Sequence, residues 1–178
     1  MALKSTIFKA TVSLSNMDAH RYKDIHVTIA QHPSETDERM MVRLLAYVLN
    51  DQDRLSFGRG LSNEEEPAIY VKTLTDDFQL WIDVGLPDKE RVKKASHKAD
   101  RVIIYCYGGN NADSWWEQNK NNINGYKNVE VIKVPSEAST SMVGLIERTM
   151  QLSCTVEDGI IWLSSDSSTT ELQTQKLL

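Results

Sequence analysis

The sequence predicts an α/β (α+β) protein in which a mixed β-sheet is flanked by helices. Three observations predict it: an alternating hairpin at the start of the chain, amphipathic helical stretches separated by apolar strands, and a second hairpin near the end. With 178 residues, the chain is long enough to bury a substantial core. We expect one globular domain over residues 1–163 and a flexible tail, rich in Ser and Thr, over residues 164–178.

The first elements are a hairpin and a helix. Residues 5–14 and 22–30 alternate between apolar and polar side chains and are joined by the polar segment S-N-M-D-A-H-R. The following segment predicts a helix that Ser34 caps and that ends near Asn50. Its buried face is formed by apolar residues at helical spacing, namely Met41, Leu44, Leu45, Val48 and Leu49.

The central elements begin with a polar stretch, residues 51–66, that predicts a loop or a short strand. Residues 68–72 and 78–84 are two strand candidates, and T-D-D between them predicts a hairpin turn. Pro87 fits the first position of a helix. The continuous apolar run R-V-I-I-Y-C-Y that follows this helix is typical of a strand covered on both faces.

The remaining elements are shorter. The pattern predicts a helix around Trp115, a strand over residues 129–134 and a helix over residues 136–149. A last hairpin, residues 150–156 and 160–163, is separated by the turn E-D-G. The predicted order is therefore β-β-α-β-β-α-β-α-β-α-β-β.

Composition limits the possible partners and compartments. The net charge of −5 argues against coating nucleic acid by bulk charge, so any such contact needs a local basic patch. The apolar runs are too short for a transmembrane segment, and we expect no membrane partner. Cys106 and Cys154 lack metal-ligand spacing and predict buried thiols of a reducing compartment, so a cytoplasmic location is expected.

An acid inside a strand is the first chemical signal. Asp83 lies in L-W-I-D-V-G, where burial is costly unless a lysine, a metal ion or a backbone amide pairs with it. Glu38 on the first helix and Glu66, in the run E-E-E before a strand, could converge with Asp83. Two or three carboxylates suffice for Mg²⁺, which could act on a phosphodiester. The alternative is that Glu38 and Glu66 are solvated acids.

A basic helix face is the second signal. Arg91, Lys94, Lys98 and Arg101 follow one another at helical spacing and share one face. This face could meet phosphates, and a lysine on it could stabilise negative charge in a transition state. The alternative is a solvated face that Glu90 partly neutralises.

Several segments resemble one family across nearly the whole chain. They are H-P-S-E-T-D-E-R-M-M-V-R-L-L-A-Y, E-E-E-P-A-I-Y-V, L-W-I-D-V-G-L-P-D-K-E-R-V-K-K-A and R-T-M. Through these segments, the chain resembles the YaeQ family of bacterial proteins. That resemblance implies a PD-(D/E)XK nuclease-like core, in the order helix, three strands, helix, strand, with extra hairpins at the N- and C-terminal ends.

The resemblance also implies roles for individual residues. Glu38 matches the acid of the first helix, and Glu66 matches the first strand acid. Asp83 matches the acid of the (D/E)-x-K element, but Gly85 stands where the lysine belongs. In some superfamily members the lysine lies on the following helix, where Lys94 is our choice and Lys93 the other candidate. Glu38, Glu66 and Asp83 would then hold a hypothetical Mg²⁺.

Two functions remain open at this point. The first is a Mg²⁺-dependent phosphodiesterase or nuclease whose catalytic residues are Glu38, Glu66, Asp83 and Lys94. The second is a non-catalytic nuclease-like binding protein. It would contact DNA or RNA, or a transcription-associated protein, through Arg91, Lys94 and Lys98, since the resemblance also implies a link to transcription elongation.

Overall fold

The computed structural model describes residues 4–61 and 65–178, which form two mixed sheets and four helices. Glu64 of the acidic run lies outside the described residues. In chain order the elements are β1 (Thr6–Asn16), β2 (Arg21–Gln31), α1 (Asp37–Leu49), β3 (Ser56–Phe57), β4 (Ile69–Lys72), β5 (Phe78–Val84), α2 (Lys89–Lys98), β6 (Ala99–Cys106), α3 (Asn110–Ile123), β7 (Val129–Lys133), α4 (Ser136–Met142), a 3₁₀ turn (Val143–Leu145), β8 (Thr149–Glu157), β9 (Ile160–Ser164), β10 (Thr169–Gln173) and β11 (Gln175–Lys176).

The first sheet unites the two predicted hairpins. Its strand order is β10-β9-β8-β1-β2, with β1 antiparallel to β2 and parallel to β8. The Asp18 carboxylate fixes one end of it, because it accepts hydrogen bonds at 2.8 Å from the backbone N–H groups of Asp158 and Gly159. The hairpins are thus confirmed, but they form a sheet of their own, through a pairing between distant strands that local periodicity does not reveal.

The second sheet carries the central elements. Its order is β11-β7-β6-β5-β4-β3, with β4 antiparallel to both neighbours and β5, β6 and β7 parallel. Strand β6 is buried on both faces, as its apolar run predicts, with Ile103 and Ile104 each 1% exposed. Helices α2 and α3 pack with one face of this sheet in a second hydrophobic cluster.

Helix α1 lies between the two sheets. Eight of its 13 residues are buried, and the main core combines them with residues of both sheets, such as Val12 of β1 and Ile82 of β5. The predicted apolar face and the end near Asn50 are confirmed. The predicted cap is wrong: Thr36 accepts the hydrogen bond from the Arg39 N–H at 3.1 Å, while the Ser34 hydroxyl contacts His32.

Two predictions for the C-terminal part are also wrong. The helix expected over residues 136–149 ends at Met142, and a 3₁₀ turn follows before β8 begins. The expected flexible tail instead contributes β10 to the first sheet and β11 to the second. Leu172 is only 4% exposed, and the backbone N–H of Val131 donates to the Leu178 carbonyl oxygen at 2.9 Å. In β10, the buried residues Thr170 and Leu172 alternate with exposed ones, which is the pattern of a strand with one buried face.

Both cysteines are buried and free, as predicted. Burial raises the pKa of the Cys106 thiol to about 11 and that of the Cys154 thiol to about 12, because a thiolate is poorly solvated in the core. Among the described residues, no helix is long and apolar enough to cross a lipid bilayer.

Replacing Leu172 tests the ordered tail. Leu172→Ala removes a buried side chain and should lower the free energy of unfolding by about 2–5 kcal/mol in urea denaturation. Gln173→Ala, at the exposed neighbouring position, should change it by less than about 0.5 kcal/mol. Equal, negligible effects of both substitutions would show that the tail does not pack on the core.

The thiols offer a second check on the core. Because the neutral thiol is favoured at both sites, neither cysteine should react with Ellman's reagent at about pH 8 in the folded protein. Both should react once urea unfolds the chain. Rapid reaction of one thiol under native conditions would contradict the burial of that residue.

Candidate functional site

A cavity of about 220 Å³ lies between α1, the segment before β4, the end of β5 and the start of α2. We call it the arginine cleft, since three arginines and two acids line it. Its lining residues are Arg39, Arg43, Gly58, Gly60, Leu61, Glu66, Pro67, Ala68, Asp83, Val84, Leu86, Pro87 and Arg91. The cleft therefore contains two of the three acids that the sequence singled out, and three of the basic side chains of α1 and α2.

Asp83 is neutralised by an arginine. Its carboxylate accepts two hydrogen bonds from the Arg91 guanidinium, from Nε at 2.8 Å and from Nη2 at 2.9 Å. The Asp83 side chain is 7% exposed and that of Arg91 27% exposed. The sequence predicts that Asp83 needs a partner, but the three partners it suggests, a lysine, a metal ion or a backbone amide, do not include the arginine that the structure shows. Arg91, on the predicted basic face eight residues later, was the available signal.

Arg91 has a further role at the cleft. Its Nη2 also donates to the backbone carbonyl oxygen of Glu66 at 2.9 Å, so the guanidinium links β5 to the segment before β4. Its own backbone N–H donates to the carboxylate of Asp88, the N-cap of α2, at 2.8 Å. Helix capping and the ion pair together fix the start of α2 against the end of β5.

The backbone conformation explains why a glycine, Gly85, stands two positions after Asp83. Gly85 ends β5 with φ +119°, in the region that residues with a Cβ rarely adopt. Its N–H donates to the Tyr105 carbonyl oxygen of β6 at 2.9 Å, which holds this conformation. A lysine at position 85 would therefore strain the turn that leads into α2.

The lysines of α2 do not contact Asp83 in this structure. Lys94 Nζ lies 2.5 Å and Lys98 Nζ 3.4 Å from the carboxylate of Glu65. The hydrogen bond and charge of Lys94, followed by those of Lys98, lower the pKa of the Glu65 carboxyl. Lys93 lines a separate groove between α2 and α3. The assignment of Lys94 or Lys93 as a catalytic lysine thus stays a prediction.

The other two acids have different partners. The Glu66 carboxylate accepts a hydrogen bond from the Arg59 backbone N–H at 3.2 Å. Glu38 accepts one from the Ser139 hydroxyl of α4 at 2.6 Å and does not line the cleft. Within the described part of the chain, no group of three or more His, Cys, Asp or Glu residues is placed to hold a metal ion. The Mg²⁺ site of Glu38, Glu66 and Asp83 therefore stays a prediction.

A buried ion-pair cluster on α1 was not foreseen. Glu35, which precedes the N-cap residue of α1, accepts hydrogen bonds from Arg43 Nη2 at 2.7 Å and Nε at 3.1 Å, and a further one from Arg39 Nη1. Arg43 also donates to the Ala30 carbonyl oxygen of β2 at 3.1 Å and lies over the Phe57 ring. Burial lowers the pKa of the Arg43 guanidinium, and Glu35 opposes that shift. The four-residue spacing of these three charges was the signal in the sequence.

Comparisons with known proteins agree with one another. A family model described as "YaeQ protein" matches residues 1–174. A relative from Escherichia coli K12, named "Uncharacterized protein YaeQ", is 41% identical over 172 residues, which are 97% of this chain and 95% of the relative. Its counterpart from Salmonella typhi is 40% identical over 173 residues, 97% of this chain and 96% of that relative.

Solved structures extend the similarity to the fold. A YaeQ protein from Xanthomonas axonopodis pv. citri superposes with a TM-score of 0.95 at 40% identity, covering 97% of this chain and 98% of that one. One from Pseudomonas syringae gives 0.92 at 35% identity, covering 98% and 96%. The architecture described above is thus shared by crystal structures.

A double-mutant cycle measures the Asp83–Arg91 pair. Arg91→Ala leaves a buried carboxylate without its cation and should cost about 3 kcal/mol of unfolding free energy. Adding Asp83→Ala should cost less than the sum of the single changes, with a coupling of about 1–3 kcal/mol. The pair Arg101–Glu130, whose side chains are 54% and 28% exposed, is the more solvated control and should couple by less than about 1 kcal/mol. Additive effects at Asp83 and Arg91 would contradict the geometry.

Proposed function

The chain belongs to the YaeQ family, and from that premise we propose that it binds phosphate groups of nucleic acid through a nuclease-like core and does not cleave them. The observation that carries this proposal is the Arg91 guanidinium, which bridges the Asp83 carboxylate and the Glu66 carbonyl oxygen. The Arg91 guanidinium thereby pairs with oxygen atoms that, in a nuclease of the PD-(D/E)XK superfamily, would bind a metal ion.

The element order supports the nuclease-like part of the proposal. Helix α1, strands β3 to β5, helix α2 and strand β6 follow the order helix, three strands, helix, strand that the resemblance implies for the PD-(D/E)XK superfamily. Glu66 precedes β4 and Asp83 lies near the end of its neighbour β5, so both acids reach one cleft. A function still has to be argued from the site rather than the fold.

The distribution of positive charge supports binding. On α1, Arg39 and Arg43 both contact the single carboxylate of Glu35. On α2, Lys94 and Lys98 both contact Glu65. On each side of the arginine cleft, two basic side chains thus share one carboxylate. Together they form a local basic patch, which a protein of net charge −5 needs in order to approach phosphates.

A Mg²⁺-dependent phosphodiesterase is the second candidate. It is favoured by one observation, the presence of Glu66 and Asp83 in the same cleft. For Asp83 to hold a metal ion together with Glu66 and Glu38, Arg91 would have to leave its carboxylate. Lys94, which contacts Glu65 here, would then supply positive charge to the transition state.

Charge reversal on α2 tests binding. Fluorescence anisotropy with short single-stranded DNA and RNA should show that Lys94→Glu with Lys98→Glu weakens affinity by about tenfold or more and lowers the salt dependence. Lys120→Glu with Lys127→Glu makes the same change of charge at one partly exposed and one exposed position beyond the cleft, as Lys94 and Lys98 are, so it is the matched control and should have little effect. If both double variants bind as the wild type does, or if no oligonucleotide binds, the proposal fails. Retention of a transcription-associated protein would then favour the other partner that the resemblance implies.

Cleavage assays separate the two candidates. With Mg²⁺ or Mn²⁺ and a panel of single- and double-stranded DNA and RNA, the wild type should release no products. Metal-dependent cleavage that Asp83→Asn abolishes, while the exposed control Asp100→Asn retains it, would replace our proposal with the phosphodiesterase. Thermal denaturation should verify that both variants are folded.

A further inference from the structure

The α1 side of the arginine cleft carries a nearly buried excess of positive charge. The side chains of Arg43, Arg39 and Glu35 are only 5%, 17% and 2% exposed. One carboxylate therefore faces two guanidinium groups in a poorly solvated place, where an uncompensated charge is costly. The two acids in the first turn of α1 have other partners: Asp37 accepts a hydrogen bond from Gln31 and Glu38 accepts one from Ser139, and neither lines the cleft. An anion from outside the chain would compensate the second guanidinium group.

We infer that the cleft takes a phosphate monoester, either the 5′-phosphate end of a nucleic-acid strand or a free mononucleotide, and not an internal phosphodiester. This inference rests on the proposed function, because it names the phosphate that the same site binds. It follows from the donors that line the cleft, from its size and from the charges on its two sides.

Arg39 supplies the hydrogen-bond donors. Its Nη1 is bonded to Glu35, while within the described residues no hydrogen bond is made by its Nε or Nη2. A guanidinium presents its N–H groups as a planar fork that matches two phosphate oxygens. Arg39 and Arg43 both line the cleft, so a phosphate on the α1 side meets the fork and the excess charge together.

The size of the cleft favours a chain end. At about 220 Å³, it is smaller than the roughly 300–1,000 Å³ of ordinary ligand pockets. The cleft has room for one phosphate and part of its sugar. An internal phosphodiester would need further room, because the strand continues on both sides of the phosphate. A monoester also carries a charge of about −1.5 to −2 near neutral pH, against one negative charge for a diester, so it compensates the excess better.

The remaining walls fit the rest of a nucleotide. On the β4 and β5 side Asp83 is neutralised by Arg91, whereas the carboxylate of Glu66 is available to accept hydrogen bonds from sugar hydroxyls. Leu61 and Leu86 are 38% and 39% exposed and line the same cleft. These apolar side chains offer contact to a sugar or base beside the phosphate.

The test compares the affinities of oligonucleotides that share one sequence and differ only at the 5′ end. A short single-stranded oligonucleotide is prepared with a 5′-phosphate, with a 5′-hydroxyl and as a closed circle, and affinity is measured by anisotropy. The 5′-phosphate form should bind about tenfold more tightly than the other two. A free 5′-mononucleotide should compete with it, whereas the corresponding nucleoside should not.

Arg39→Gln should remove this preference. The protein should still fold, because Glu35 keeps both hydrogen bonds from Arg43 and the pair becomes one to one. Arg39→Lys, which keeps the charge but loses the fork, should retain part of the preference and serves if the glutamine variant is unstable. Arg148→Gln, at an exposed site outside the cleft, is the matched control and should bind as the wild type does.

The outcomes separate this inference from the proposed function. Equal affinity for all three ends would overturn the monoester and leave nucleic-acid binding standing. Binding of the free mononucleotide alone, lost in Arg39→Gln, would support the monoester site and overturn the nucleic-acid function. No binding by any probe would overturn both.

Discussion

The burial of α1 between two sheets is the constraint on which the rest of the structure depends. A helix that is covered on both sides can keep charged residues only where they find partners, and α1 gathers Arg39 and Arg43 on Glu35 at its beginning. The end of β5 and the segment before β4 face this part of α1, and the cleft forms between them. The polar site is thus a result of how the apolar core is closed.

The end of β5 shows how backbone geometry limits which side chain can pair with a buried acid. Gly85 has a positive φ because the chain must turn from β5 into α2 within a few residues. No lysine is suited to that position, and the first turn of α2 brings Arg91 to the acid instead. The absence of a lysine two positions after Asp83 and the pairing of Asp83 with Arg91 therefore have one structural origin.

Local patterns predicted the local elements well. The alternation of β1 and β2, the apolar face of α1 and the continuous run of β6 all depend on neighbours within a few residues. Pairings across long stretches of chain were not visible, such as β1 with β8 or the tail with both sheets. The site divides in the same way: Asp83 stood out by its apolar surroundings, whereas its bond to Arg91 and the sharing of Glu35 depend on how the elements pack.

The parallel pairing of β1 with β8 has a consequence for how the chain is made. Lys9 is paired with Thr149, so the N-terminal hairpin leaves the ribosome long before its partner strand exists. Until then one edge of an 11-residue strand keeps its backbone hydrogen-bonding groups open to other chains. Nascent chains that stall before β8 are therefore the form of this protein most exposed to aggregation and most dependent on chaperones.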